Sequence, residues 1–243
     1  MIDLHCHILP GIDDGVSDIG EAVEMARIAA ADGISKIVAS PHIGGQTLTG
    51  KTETGHLSEI IDEKIGHLKR NLSAEGIPVE IIRGGEVSAF LPPQTCELFT
   101  INGTAYLIVD FPHTHLPVNA RDNIFAMVVY GLRPIIAHPE RNASVIQNPE
   151  KLRELVQSGA LVQITAASLT GEFGLESQAC ALYLLQQQMV SFIASDGHGA
   201  AHRPPVLSRA FQAAKKHIGR KKAHALISEN PEAVIKGMSL NKC

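Results

Sequence analysis

Residues 1–15 read MIDLHCHILPGIDDG. The run IDLHC, 2–6, has the character of a short strand, and the chain turns polar at its end: His5 and His7 lie two apart, and Asp13 and Asp14 follow in the next loop. Strand alternation puts both imidazoles on one face and Cys6 on the other. No GxGxxG follows this strand, as a dinucleotide-binding open sheet would require. What stands there is a group of proton- or metal-binding side chains at a strand end, which is where a closed α/β barrel carries its chemistry.

The rest of the chain repeats the unit. Apolar runs at 34–40, 79–85, 105–111, 133–138, 161–166 and 190–195 read as six further strands. Helical patterns separate them. Asp18, with Glu21 three residues on, caps the first helix, and Gly33 is placed to stop it. Further helices are expected near 55–75, 119–131 and 175–188, in NPEKLRELVQSG and at the C-terminus. Seven β-then-α units without a low-complexity linker predict one parallel α/β domain over residues 1–243, a length that suits a single barrel.

Composition bounds the function. Apolar residues make up 44% and Trp is absent, so the core must rest on Ile, Leu, Val and Ala. The net charge of -4 argues against nucleic acid as a partner. The basic stretch Lys215 to Lys222 reads as a solvated helix face, or else as a docking patch for an acidic partner. No apolar run approaches a membrane span, and no signal-peptide pattern opens the chain. Cys6, Cys96, Cys180 and Cys243 form no CxxC pair, which suits reduced thiols in a cytosol. Cysteine-dependent phosphatases need Arg six positions after Cys, and here Ile12, Asn102 and Gln186 stand in those places.

The remaining strand ends carry His42, Glu86, Asp110, His138, and Asp196 with His198. Each alone is an ordinary loop or cap residue. Gathered on one rim they would leave several carboxylates partly desolvated, and buried carboxylates need opposite charge nearby. Divalent cations supply it. The donors are imidazole and carboxylate, which favours Mn, Fe or Zn, and there are too many for one ion, so two or three are expected. Such a centre makes hydroxide available near pH 7 and stabilises a phosphoryl transition state. Arg141, three residues after His138, and Arg203, five after His198, could each grip phosphate oxygens.

HCH near the start, IDDG, SPH, the Glu after a strand, AHPER and SDGH follow in an order that resembles the polymerase and histidinol phosphatase (PHP) superfamily. Within it the chain is most similar to the metal-dependent tyrosine-protein phosphatases of bacterial capsular and exopolysaccharide biosynthesis. The resemblance implies a distorted seven-stranded (β/α) barrel of TIM type and a three-metal centre commonly run with Mn²⁺. It implies hydrolysis of phosphotyrosine on the tail of a membrane-associated tyrosine kinase, at its cytoplasmic side. Carried over by position, the ligands are His5, His7, Asp14, His42, Glu86, Asp110, His138, Asp196 and His198. Arg141 and Arg203 match the phosphate-contacting arginines, and His42 or Asp196 passes a proton to the leaving group. Asp13 receives no role. Three positions depart from the pattern: Asp110 replaces Glu, HPERN replaces HPERY, and the loop after His42 lacks bulky residues.

Two rival readings remain. One is a sister phosphoesterase acting on a small phosphomonoester such as histidinol phosphate. The other is an ATP-binding protein, because Gly45 to Thr52, GQTLTGKT, satisfies GxxxxGK[ST]. In that case PHIG separates the strand from the pattern, whereas a phosphate loop leaves its strand directly.

Overall fold

The computed structural model describes residues 1–44 and 54–240. The GQTLTGKT stretch lies outside them. Among the described residues, nine parallel strands are β1 (Ile2–Cys6), β2 (Lys36–Ala39), β3 (His42–Ile43), β4 (Glu80–Arg83), β5 (Glu86–Ser88), β6 (Tyr106–Asp110), β7 (Arg133–Ala137), β8 (Leu161–Thr165) and β9 (Phe192–Ala194). They form two ladders, β1-β2-β4 and β3-β5-β6-β7-β8-β9.

The two ladders are parts of one distorted barrel. β2 falls within the strand predicted at 34–40, and β3 continues it beyond that range after a break at Ser40–Pro41, where proline offers no N–H to a ladder. β4 and β5 are likewise one run interrupted at Gly84–Gly85. A Cβ on Gly85 would come within 2.9 Å of Phe99 Cβ, so the close approach there requires glycine. Hydrogen bonds carry the sheet across the breaks, from Ser40 N to Cys6 O (3.0 Å) and from Glu86 N to Pro41 O (2.9 Å). The last strand returns to the first. Asp196 N donates to His5 O at 2.9 Å and His7 N to Gly197 O at 2.8 Å. The expected seven strand units are therefore present, with the second and third each followed by a further short strand beyond the predicted end and the seventh shortened to Phe192–Ala194.

β1 carries a bulge. Three steps, from Asp3 to Cys6, oppose two in β2, from Ile37 to Ala39. Leu4 packs with the barrel's inner apolar cluster, and the extra residue turns the next side chain, His5, inward as well. The simple alternation expected for 2–6 thus reaches His5 and His7 through an irregularity that the sequence does not announce.

Helices cover the outside. Asp18 Oδ1 caps Ile19–Asp32 through Glu21 N at 3.0 Å, and Gly33 ends it at φ +87°. Thr54–Ala74 buries Leu57, Ile61, Ile65, Leu68 and Leu72, a stripe at near-helical spacing. These faces join the outer layer of the core, while Leu4, Val38, Ile82, Ile108, Ile135 and Phe192 fill the barrel. Val234 and Ile235, on the helix Asn230–Ile235, pack against that inner cluster. Among the described residues, no helix is long and apolar enough to cross a membrane.

Candidate metal centre

All strands run the same way, so their C-terminal ends share one rim. His5 Nε2 lies 3.1 Å from His7 Nε2. Glu86 Oε2 sits among three rings, 2.8 Å from His42 Nδ1, 3.3 Å from His5 Nε2 and 3.4 Å from His7 Nε2. Glu86 Oε1 is 3.0 Å from His138 Nε2. Asp196 Oδ1 lies 3.5 Å from His7 Nε2 and 3.6 Å from both His5 Nε2 and His198 Nδ1. On the outer side Asp14 Oδ1 is 3.3 Å from His42 Nε2 and 3.6 Å from His198 Nε2.

Three adjoining groups result, each with donor atoms within 4.8 Å of one another: His7, Asp14, His42 and His198; His5, Glu86 and His138; and His5, His7 and Asp196. The structure thus brings together every expected ligand except Asp110. That shorter carboxylate ends β6 with Oδ1 3.9 Å from His138 Nε2, buried and without a hydrogen bond.

The electrostatics explain why such a cluster suits cations. Burial disfavours the charge on Glu86, but His5, His138 and His42 outweigh it and hold the carboxyl well below its usual range. Burial also opposes charge on His42, yet Asp14 and Glu86 push it up to about 10. His198, with burial and the charge of His7 against it, falls to about 4. Asp110 rises to about 6 through burial and the charge of Glu86. The carboxylates raise His7 and His138 as well as His42, so this end of the barrel favours positive charge. Glu86 Oε2, buried and close to three imidazole nitrogens, still accepts no well-formed hydrogen bond. The donor set and this orphaned oxygen fit divalent cations.

Side chains behind the cluster fix it. Gln163 Oε1 meets His5 Nδ1 at 2.9 Å, and Asp13 Oδ2 meets His7 Nδ1 at 2.8 Å, which leaves each ring's Nε2 facing the cluster. Asp13 also accepts from His42 N at 3.0 Å and Gly15 N at 3.1 Å. A Cβ on Gly15 would fall 2.2 Å from His7 O, so IDDG needs its glycine to fold back under the histidines. The sequence singled out Asp13 without a role. Gln163 was missed, and its signal was a lone amide inside an apolar strand.

Arg141 Nη1 donates to Asp196 Oδ2 at 2.8 Å, and Arg203 bonds the same oxygen and Asp196 O. Both guanidiniums lie over Phe173, at 4.2 and 5.4 Å from its centroid, a neighbour the sequence did not suggest. His138, Asp196 and Arg203 adopt left-handed backbone, at φ of 31°, 53° and 60°. Strain of about 1–3 kcal/mol per residue is concentrated where the polar groups converge. The asparagine of HPERN acts locally, since Asn142 Oδ1 caps Ala143–Gln147 and its amide donates to Pro112 O at 2.7 Å. His113, left without a firm role by the sequence, lies 5.0 Å from the His138 ring, and burial with the charge of His138 lowers it to about 4.

The family model for capsular polysaccharide synthesis, CpsB/CapC, matches residues 1–236. The chain belongs to this family. Tyrosine-protein phosphatase YwqE of Bacillus subtilis is 35% identical, over 99% of this chain and 93% of that protein. Putative tyrosine-protein phosphatase CapC of Staphylococcus aureus is 34% identical, over 87% and 82%. A crystal structure from the work on YwqE of B. subtilis and CpsB of Streptococcus pneumoniae, described as metal-dependent tyrosine phosphatases, superposes with a TM-score of 0.90. It is 33% identical and covers 99% of this chain and 96% of that one. The expected family and barrel-type fold stand.

Proposed function

We propose that this chain is a metal-dependent protein-tyrosine phosphatase, a single phosphoesterase domain. Its substrate would be phosphotyrosine on a bacterial tyrosine kinase that governs capsule or exopolysaccharide synthesis, at the cytoplasmic side of the membrane. The observation that carries this reading is the convergence of imidazoles and carboxylates into three adjoining groups, in a chain whose relatives are named tyrosine phosphatases.

His5, His7, Asp14, His42, Glu86, His138, Asp196 and His198 would hold two or three divalent cations, Mn²⁺ foremost, with Asp110 at the edge of the set. Bound there, the cations lower the pKa of water and spread phosphoryl charge. Gln163 and Asp13 orient the first two histidines. Arg141 and Arg203 grip the phosphoryl oxygens, and Asp196 keeps the two guanidiniums together beside the cluster. Asp196 lies between two guanidiniums and several imidazoles, and its pKa stays well below the usual range despite its burial, so it has no proton to give. Of the two expected proton donors, His42 at the outer edge is the one we retain.

The test is turnover of a phosphotyrosine peptide by purified protein, with metal content measured alongside. Chelation should abolish turnover, Mn²⁺ should restore it, and His5→Ala should lower metal content and activity together. Turnover that survives both chelation and His5→Ala overturns the mechanism. Faster hydrolysis of histidinol phosphate than of the peptide overturns the substrate.

A further inference from the structure

A cavity lies at the other end of the strands. About 670 Å³ in volume, it is lined by the first residues of three strands, Tyr106 of β6, Arg133 of β7 and Leu161 of β8, and by Val190 and Ser191 just before β9. The helices Ser208–Ile218 and Arg220–His224 contribute Ile218 and Lys222. This volume is within the usual range of small-molecule sites, which are mostly apolar with a few placed polar groups.

Its charged groups, Arg133 and Lys222, are of one sign. Arg133 Nη1 donates to Tyr106 OH at 2.8 Å and to Ser239 Oγ at 3.2 Å, and Lys222 Nζ donates to Gln188 Oε1 at 3.2 Å. Among the described residues no carboxylate lines the cavity, and neither cation makes an ion pair. Lys222 ends the basic stretch noted in the sequence, whose exposed Lys215, Lys216, Arg220 and Lys221 add positive potential beside it. A concave apolar space with two cations bonded only to neutral oxygens is complementary to one anionic head on an aliphatic chain. A flat protein partner would leave the concavity unfilled, and a neutral apolar molecule would leave the cations unanswered.

We propose that this cavity is a second binding site, for a single-chain amphipathic anion: an aliphatic monocarboxylate whose chain packs on Leu161, Val190, Ile218 and Leu226 and whose head meets Arg133 and Lys222. It is separate from the strand ends that carry the metal-ligand candidates and does not depend on the phosphatase reading.

The test is calorimetric titration of the full chain with hexanoate, octanoate and decanoate, on metal-loaded and chelated protein alike. Saturable one-to-one binding is expected in both preparations, tightening by about fourfold per added methylene. Decanol should bind at least about tenfold more weakly, because it lacks the charge that the guanidinium and ammonium groups answer. The double variant Arg133→Gln/Lys222→Gln, on exposed side chains, should lose a similar factor, and Val190→Phe should block binding by filling the cavity. All variants should keep phosphotyrosine-peptide turnover. The proposal is overturned by any of four results: no saturation up to about 1 mM decanoate; binding that disappears on chelation; binding indifferent to both sets of substitutions; or a chain that ignores free decanoate and binds phosphatidylglycerol vesicles or a second copy of itself through the same residues.

Discussion

The two ends of the barrel are built from the same strands and differ in almost every other respect. At the C-terminal ends, buried imidazoles and carboxylates crowd together, three residues hold left-handed backbone, and carboxylate oxygens of Glu86 and Asp110 go without hydrogen bonds. At the N-terminal ends several polar side chains bond to backbone carbonyls. Tyr106 OH donates to Met238 O at 2.8 Å, Asn102 donates to Ile235 O at 3.0 Å, and Asn230 donates to Ser191 O at 2.9 Å. Phe192, Ile135 and Val234 pack among them. One end gives up stability to hold charge in place, and the other supplies the burial that makes this tolerable.

Four substitutions probe that contrast. The largest effect is expected from Glu86→Gln, because Glu86 lies beside four imidazoles. Activity on a phosphotyrosine peptide should fall by roughly 10³-fold, about 4 kcal/mol in the barrier, and metal content should fall with it. A variant that unfolds but keeps its specific activity would reverse the assignment of this end.

Phe192→Ala, inside the barrel and fully buried, should do the opposite. A stability loss of about 3–5 kcal/mol is expected, which lowers Tm by roughly 6–20 °C for a chain of this size. Turnover per folded molecule, measured well below the transition, should be unchanged.

Phe173→Ala tests whether the ring beneath the two arginines matters. Cation–π contact contributes about 0.5–2 kcal/mol, so KM for the peptide should rise by roughly two- to thirtyfold, with metal content and Tm unaltered. An unchanged KM would leave Asp196 as the sole organiser of the guanidiniums.

The smallest effect belongs to the Glu232 pair at the N-terminal end. Lys36 and Lys236 lower the Glu232 pKa below 4.5, and Lys36 Nζ lies 3.0 Å from its carboxylate. A carboxyl whose folded pKa is depressed stabilises the fold above its unfolded pKa, and this contribution is lost as pH falls through the folded value. Glu232→Gln should therefore cost about 0.5 kcal/mol at pH 7, with the gap to the parent chain closing below roughly pH 4. Denaturant midpoints at pH 7 and pH 3.5 would show it, and a gap that widens in acid would mean the carboxyl is not held ionised by these lysines.

Much of this was legible along the chain. Strand and helix positions followed from apolar period and from caps such as Asp18 and Gly33, because these signals are local. Strand-end position singled out the candidate donors, because a parallel α/β chain gives every strand end the same destination, and the family resemblance chose the nine ligands among them, Asp14 rather than Asp13. Gln163 and Phe173 were not legible. An amide in an apolar run and a phenylalanine in a polar loop acquire meaning only from His5 and Arg141, far off in sequence.

The sequence by itself determined the repeating β-then-α order, the kinds of donor atoms available and the family. Only the tertiary structure decided how they meet. The bulge that turns His5 inward, the breaks at Ser40–Pro41 and Gly84–Gly85, and the position of Asp110 outside the three groups depend on register between strands. So does the cavity at the far end, which is bounded by Arg133 and Lys222 from segments with no local pattern in common. The physical reason is range: caps and periodicity act over a few residues, whereas donor geometry depends on contacts closed across nearly two hundred, from His5 to Asp196.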